Sequence, residues 1–151
     1  MKKILLLGGS TQQILAIEYT KKQGYGTILC DYLPDNPGQH YADRFHCVST
    51  TDKEAILEVA QKEKVDGVVA YTSDPAAPTV AYVAEKVGLP TSPYKLVELL
   101  TNKDKFTAFL AEHNFCTPRT NGYSSIEEAK KDIERFRVPV LIKLIKYSYK
   151  V

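Results

Sequence analysis

The opening of the chain constrains its fold most. After Lys3 comes an unbroken apolar run, Ile4-Leu5-Leu6-Leu7, closed by Gly8-Gly9-Ser10-Thr11 and followed at once by Ile14, Leu15, Ile17 and Tyr19 at helical spacing. An apolar run without polar alternation suits a strand covered on both faces, as in a parallel sheet. A strand that turns this tightly into a helix is the first half of a β-α-β unit. The pattern recurs. Thr27–Cys30 reads as a second strand ended by Asp31, Phe45–Val48 as a short third, and Val65–Tyr71 as a fourth. Between the second and third lies a polar loop, Tyr32 to Arg44, rich in Pro, Asn, Gly and His. Thr51–Glu54 has the T-x-x-E form of a capping box opening a helix with Ile56, Leu57 and Ala60. Asp74-Pro75 begins another, with Pro at a favoured first position, burying Ala77, Val80, Ala81, Ala84 and Val87 before Gly88. The predicted fold class is α/β, a doubly wound parallel sheet with right-handed crossovers.

The rhythm changes at Leu89-Pro90-Thr91-Ser92-Pro93. Two helical stretches follow, about 95–100 and 102–113, the second carrying Phe106, Phe109 and Leu110 on one face. Ser124 and Glu127 form a second predicted capping box, and Val138-Pro139-Val140-Leu141-Ile142-Lys143 reads as a strand. The expected organisation is a first domain over 1–93 and a second, incomplete one over 94–151. An unpaired final strand over 140–145 would present an apolar edge, so self-association into a homo-oligomer is expected.

A net charge of +2, with lysines set beside Glu or Asp on helical stretches, argues against a nucleic-acid or membrane partner. The apolar run after Lys2-Lys3 stops after four residues, short of a signal peptide core or a membrane span. Cys30, Cys47 and Cys116 are odd in number and lack C-x-x-C spacing, which fits reduced thiols in a cytoplasmic protein.

Gly8-Gly9-Ser10-Thr11 stands where a dinucleotide-binding turn would stand. The G-x-G-x-x-G template meets Gly8, Ser10 and Gln13, so only its first glycine is present, although Asp31 lies where a ribose-binding acid would. The turn still offers backbone N–H groups at a helix start, a site for phosphate or carboxylate, or it is simply a tight turn. In an open parallel sheet the carboxyl ends of the strands line the ligand crevice, so Gly9-Ser10 and Thr72-Ser73-Asp74 should face one cleft. Asp74 also makes sense as a plain helix cap. His40, His46 and His113 have no metal-ligand spacing. Lys103 at a helix start and Lys143 on a strand could converge on one polyphosphate, or be two solvated lysines.

Taken together, the strand-turn start Ile4–Gly9, the loop Asp31-Tyr32-Leu33-Pro34-Asp35-Asn36-Pro37-Gly38, Ala42-Asp43, Val65–Val69, Thr72-Ser73-Asp74, Gly88-Leu89-Pro90 and Asn102-Lys103 resemble the amino-terminal part of ATP-grasp ligases. That superfamily includes carbamoyl-phosphate synthase large chains and the phosphoribosylglycinamide synthetase group, and the likeness runs from residue 1 to about 143. It implies a Rossmann-like pre-ATP-grasp domain over 1–93 and the start of an ATP-binding region after it. It implies a parent reaction in which ATP and magnesium phosphorylate a carboxylate and an amine then attacks the acyl phosphate. In the family, residues at the positions of Lys103 and Lys143 contact the nucleotide, and the first domain helps bind the other substrate, a small carboxylate or amine. Gly9, Ser10 and Asp74 are the substrate-binding candidates; no catalytic residue and no metal ligand is assigned.

The departure from the family begins at Leu144, where it usually has Pro. The stretch Ile145-Lys146-Tyr147-Ser148-Tyr149 holds no glycine where the family has a Gly- and Ser-rich loop closing on the phosphates. The expectation is a truncated ligase without activity of its own. Two alternatives stand beside it, a non-enzymatic module binding a small metabolite and an NAD- or nucleotide-sugar-binding domain.

Overall fold

The computed structural model describes residues 1–142. The chain divides into two compact units, Met1–Thr101 and Asn102–Val151. The first contains β1 (Lys3–Leu7), α1 (Ile14–Lys22), β2 (Gly26–Asp31), β3 (Arg44–Cys47), α2 (Lys53–Glu63), β4 (Gly67–Val69), α3 (Ala77–Lys86) and α4 (Tyr94–Thr101).

All pairings are parallel, and the four strands lie in the order β3-β2-β1-β4. Alternation along β1 sends Leu5 and Leu7 to one face, where they pack with Ile28, Cys30, Ile56, Val59, Ala60, Ala76 and Val83. Leu6 points to the other face, with Ile17 and Leu29. Helices therefore cover both faces, as the uninterrupted apolar run requires. Burying each such Leu or Ile contributes about 1.5–3 kcal/mol, so the run Leu5–Leu7 anchors both layers.

β4 is shorter than the predicted 65–71. It is bonded to β1 alone, and pairing ends on the amino side at Asp66, whose N–H donates to the Lys3 carbonyl while its carboxylate accepts the Lys3 N–H. The cap of α2 is Asp52 rather than Thr51: the Asp52 carboxylate accepts the Ala55 N–H, and Thr51 Oγ1 pairs with Ser49 Oγ. Residues Asp74–Ala76 form a 3-10 turn before α3. Of the face expected to be buried, Ala81 and Ala84 are buried and Val80 and Val87 pack partly buried against the core, while Ala77 is half-buried; Thr79 and Val83 are buried beside them.

In the second unit, α5 spans Lys103–Glu112 and α6 Ile126–Asp132. Asn114, just beyond α5, takes φ +60°, the left-handed stop its residue type tolerates. The cap of α6 is Ser125, one residue after the predicted Ser124; its hydroxyl accepts the Glu128 N–H, and the Glu128 carboxylate accepts the Ser124 N–H. The predicted strand over 138–143 is not formed over its described part, 138–142. A strand needs a neighbour for its N–H and C=O groups, and among the described residues the second unit contains no strand. Lys143 and the glycine-free tail lie outside the described residues.

Candidate functional site

The order β3-β2-β1-β4 reverses direction at β1: the chain first adds strands on one side of β1 and then crosses to its other side. In an open parallel sheet such a point opens a crevice at the carboxyl ends of the two diverging strands, here β1 and β4. The loops leaving them are Gly8–Gln13 and Ala70–Asp74, and each leads through a 3-10 turn into a helix.

The first loop is held by its own side chains. Gly8 has φ +104°, and its N–H still donates to the Cys30 carbonyl at 2.8 Å. The Gly9 N–H donates to Asp31 Oδ2 at 2.7 Å, while Asp31 Oδ1 accepts the Leu33 N–H at 2.9 Å. Gln13, only 8% exposed, accepts from the Ser10 N–H at 2.9 Å and from the Ser10 hydroxyl at 3.0 Å through Oε1. Its Nε2 donates to the Tyr71 carbonyl at 3.1 Å, so one side chain joins the loop after β1 to the loop after β4. Behind them, the Gly38 N–H donates to the Gly9 carbonyl at 2.8 Å. The buried Asn36 fixes that third loop, accepting the Gln39 N–H and donating to the Leu33 carbonyl.

This geometry changes two readings of the sequence. The backbone N–H groups of Gly9 and Ser10, offered there to a phosphate or carboxylate, are engaged by Asp31 and Gln13. Asp31, positioned like a ribose-binding acid, is a buried latch with both oxygens on backbone N–H groups. A pyrophosphate at this turn would displace a carboxylate from the place it needs, and that weighs against a dinucleotide cofactor. Gly9 and Ser10 lie on one of the two loops that Gln13 joins, and Asp74, exposed, opens the 3-10 turn at the end of the other. Between the loops, residues 8–13 and 71–74 carry no Lys, Arg or His. Thr72, a β-branched residue, has φ +53°, a conformation that L side chains adopt at a cost.

Beneath the sheet a second polar cluster has a structural role. Glu63, at the end of α2 and 4% exposed, accepts from Arg44 Nη1 at 2.8 Å, pairs with His46 Nε2 at 3.0 Å and lies 3.8 Å from Lys3 Nζ. Burial opposes its ionisation, but the hydrogen bond from His46 and the charges of Arg44, His46 and Lys3 prevail and hold the carboxyl below its ordinary value. His46 is thereby occupied. Cys30 is fully buried; desolvation, with the charges of Asp31 and Glu63, pushes its thiol up to about 12, so it is inert core. Asp43 accepts the N–H and hydroxyl of buried Thr27, at 2.8 and 2.9 Å, and pairs with Lys21 at 3.0 Å. Those backbone and side-chain bonds hold its carboxyl below the usual range.

Lys103 is the exposed first residue of α5. On either side of it, Asn102 Oδ1 and Asp104 Oδ1 are buried without a hydrogen-bond partner. One ammonium does not make a triphosphate site by itself. Among the described residues no group of three or more His, Cys, Asp or Glu could hold a metal ion. No helix of the described residues is long and apolar enough to cross a membrane.

No family model matches the chain. It is 27% identical to the carbamoyl phosphate synthase large chain of Pseudothermotoga lettingae and 28% identical to that of Thermotoga petrophila, in each case over 94% of its own length. It spans about 14% of the length of these relatives. Among solved structures, phosphoribosylglycinamide synthetase from Anaerococcus prevotii superposes with a TM-score of 0.71 at 19% identity, over 91% of this chain and 35% of that one. L-amino acid ligase from Bacillus licheniformis gives a TM-score of 0.66 at 19% identity, over 89% and 42%. The parallel sheet and its helices thus have the fold of the amino-terminal domain of ATP-grasp enzymes, and in sequence the chain resembles part of the carbamoyl phosphate synthase large chains.

Proposed function

We propose that residues 1–151 are the front of an ATP-grasp ligase that joins a carboxylate to an amine through an acyl phosphate. The β1/β4 crevice takes the non-nucleotide substrate. The observation that carries this reading is the reversal of strand order at β1, with Gly9, Ser10 and Asp74 on the two loops that Gln13 ties together. Gly9 keeps its loop thin. The Ser10 hydroxyl donates its proton to Gln13, leaving its oxygen as an acceptor, and Asp74 presents an exposed carboxylate. With no cation on either loop, these acceptors suit the amine-bearing reactant, whose ammonium they would hold and orient. Lys103 and Lys143 are the candidates for the ATP phosphates, where lysine serves as a mobile point charge. When bound, ATP with magnesium supplies the phosphoryl group that activates the carboxylate. These 151 residues by themselves do not turn over and bind ATP weakly or not at all, and the protein is cytoplasmic.

Titrating the 15N-labelled chain with methylammonium, acetate, inorganic phosphate and MgATP, with amide shifts as the readout, tests this reading. Methylammonium should move the amides of Gly9, Ser10 and Asp74 and leave α6 unmoved. Acetate or phosphate moving them instead overturns the amine assignment, and no probe moving them overturns the crevice. Sub-millimolar MgATP binding would overturn the claim of weak nucleotide affinity.

A further inference from the structure

Gln13 marks the place where the dinucleotide template fails, yet no other side chain of the first loop makes as many bonds across the crevice. It is buried, and its two amide atoms face different elements: Oε1 takes the N–H and hydroxyl of Ser10, and Nε2 reaches the carbonyl of Tyr71, fifty-eight residues on. Room for it comes from Gly8. A Cβ on Gly8 would lie 2.3 Å from Gln13 Nε2 and 2.5 Å from Oε1, so the amide rests directly against the glycine backbone. The residue after Tyr71 is Thr72 at φ +53°. A β-branched residue stays in that region only when its surroundings over-determine it. The Gln13–Tyr71 bond fixes the peptide that enters Thr72, and the 3-10 turn at Asp74–Ala76 fixes the chain beyond it.

We propose that Gln13 is the positioning residue of the crevice: its single buried amide sets the separation of the two walls and holds Thr72 in the left-handed conformation that presents Ser73 and Asp74. The inference rests on the reading that the β1/β4 crevice binds the amine-bearing substrate. Gln13 touches no substrate; it acts through Ser10 and through the Tyr71-Thr72 peptide. Substitution by Glu keeps an acceptor for Ser10 but sets a carboxylate oxygen against the Tyr71 carbonyl, so the donor is lost with little change of volume.

The test compares the wild-type chain with Gln13→Glu, Gln13→Ala and Gln13→Ala/Thr72→Gly. One readout is the backbone conformation of residue 72, from its 13C shifts and amide–α-proton coupling; the other is the affinity for methylammonium. In both single variants residue 72 should leave the left-handed region, and methylammonium should bind about tenfold more weakly, as loss of one hydrogen bond to an aligned wall implies. Glycine at 72 adopts the left-handed conformation without strain, so the double variant should recover most of the affinity lost by Gln13→Ala. Simple destabilisation by the cavity predicts no such recovery. If Thr72 keeps its conformation in Gln13→Glu, or if both single variants bind methylammonium like the wild type, the proposal is overturned. If the wild-type chain binds no methylammonium, the crevice reading fails, and the conformation of residue 72 still decides whether Gln13 positions the loop.

Discussion

At the scale of single residues, the carboxylates matter most, and their partners decide what each does. Glu63 is buried beneath the sheet and tied to Arg44, His46 and Lys3. A carboxyl held below its ordinary value binds fewer protons in the folded than in the unfolded chain. Its contribution to stability is therefore complete above that ordinary value, 4.5, and is lost as pH falls through the lower folded-state value. Replacing Glu63 by Gln removes the charge while keeping the shape. Arg44 is largely exposed, so screening discounts the pair, and the expected cost is about 2 kcal/mol at neutral pH. Urea unfolding of wild type and Glu63→Gln should show that gap near neutrality and a smaller one well below pH 4.5. A gap of equal size at both would show that packing, not charge, is what the substitution disturbs. Asp31 belongs to the same kind of argument: its type and place suggested a ligand, and only the two N–H groups it accepts from, Gly9 and Leu33, reveal a latch.

At the scale of elements, the apolar runs made the sheet legible. Ile4–Leu7 and Thr27–Cys30 carry no polar alternation, and both became central strands covered on two sides. Caps were legible to within one residue. Thr51 and Asp52, like Ser124 and Ser125, are neighbouring residues that each carry a side-chain acceptor, and the local backbone decides which one meets the N–H three residues on. The buried face of α3 was legible through Val80, Ala81, Ala84 and Val87, and it extends to Thr79 and Val83, which the apolar spacing did not single out. In the candidate crevice the S-x-x-Q spacing of Ser10 and Gln13 was the available signal, a capping box whose Gln13 was read only as a position where the glycine template fails. The contact between the loop at Gly38 and the loop at Gly9 had no such signal, since it joins residues far apart in sequence. It sets a firm requirement, because a Cβ on Gly38 would stand 2.8 Å from both the Cα and the carbonyl oxygen of Gly9. Those atoms are backbone and cannot swing aside. Gly38→Ala should cost about 2 kcal/mol or more, seen as a fall in Tm, and should shift the amides of Gly9 and Ser10. An unchanged Tm would mean that this loop is not pressed against the crevice.

At the scale of the whole molecule, what remains unbalanced is apolar surface in the second unit. Val138, Leu141 and Ile142 are 85%, 80% and 82% exposed, and Pro139 interrupts donors along the same stretch. Single exposed apolar residues are ordinary, but three within five positions form a patch that water solvates poorly. The residues there have the strand-forming character first read from the sequence and, among the described residues of their unit, no strand to join. We propose that a second copy of the chain covers them. Sedimentation velocity over a range of concentrations should then show a monomer giving way to dimer. Leu141→Lys/Ile142→Lys should keep the chain monomeric with an unchanged Tm, because neither side chain is part of a core. A wild-type chain that stays monomeric at the highest concentration, or a double variant that still associates, would place the contact elsewhere or remove it altogether.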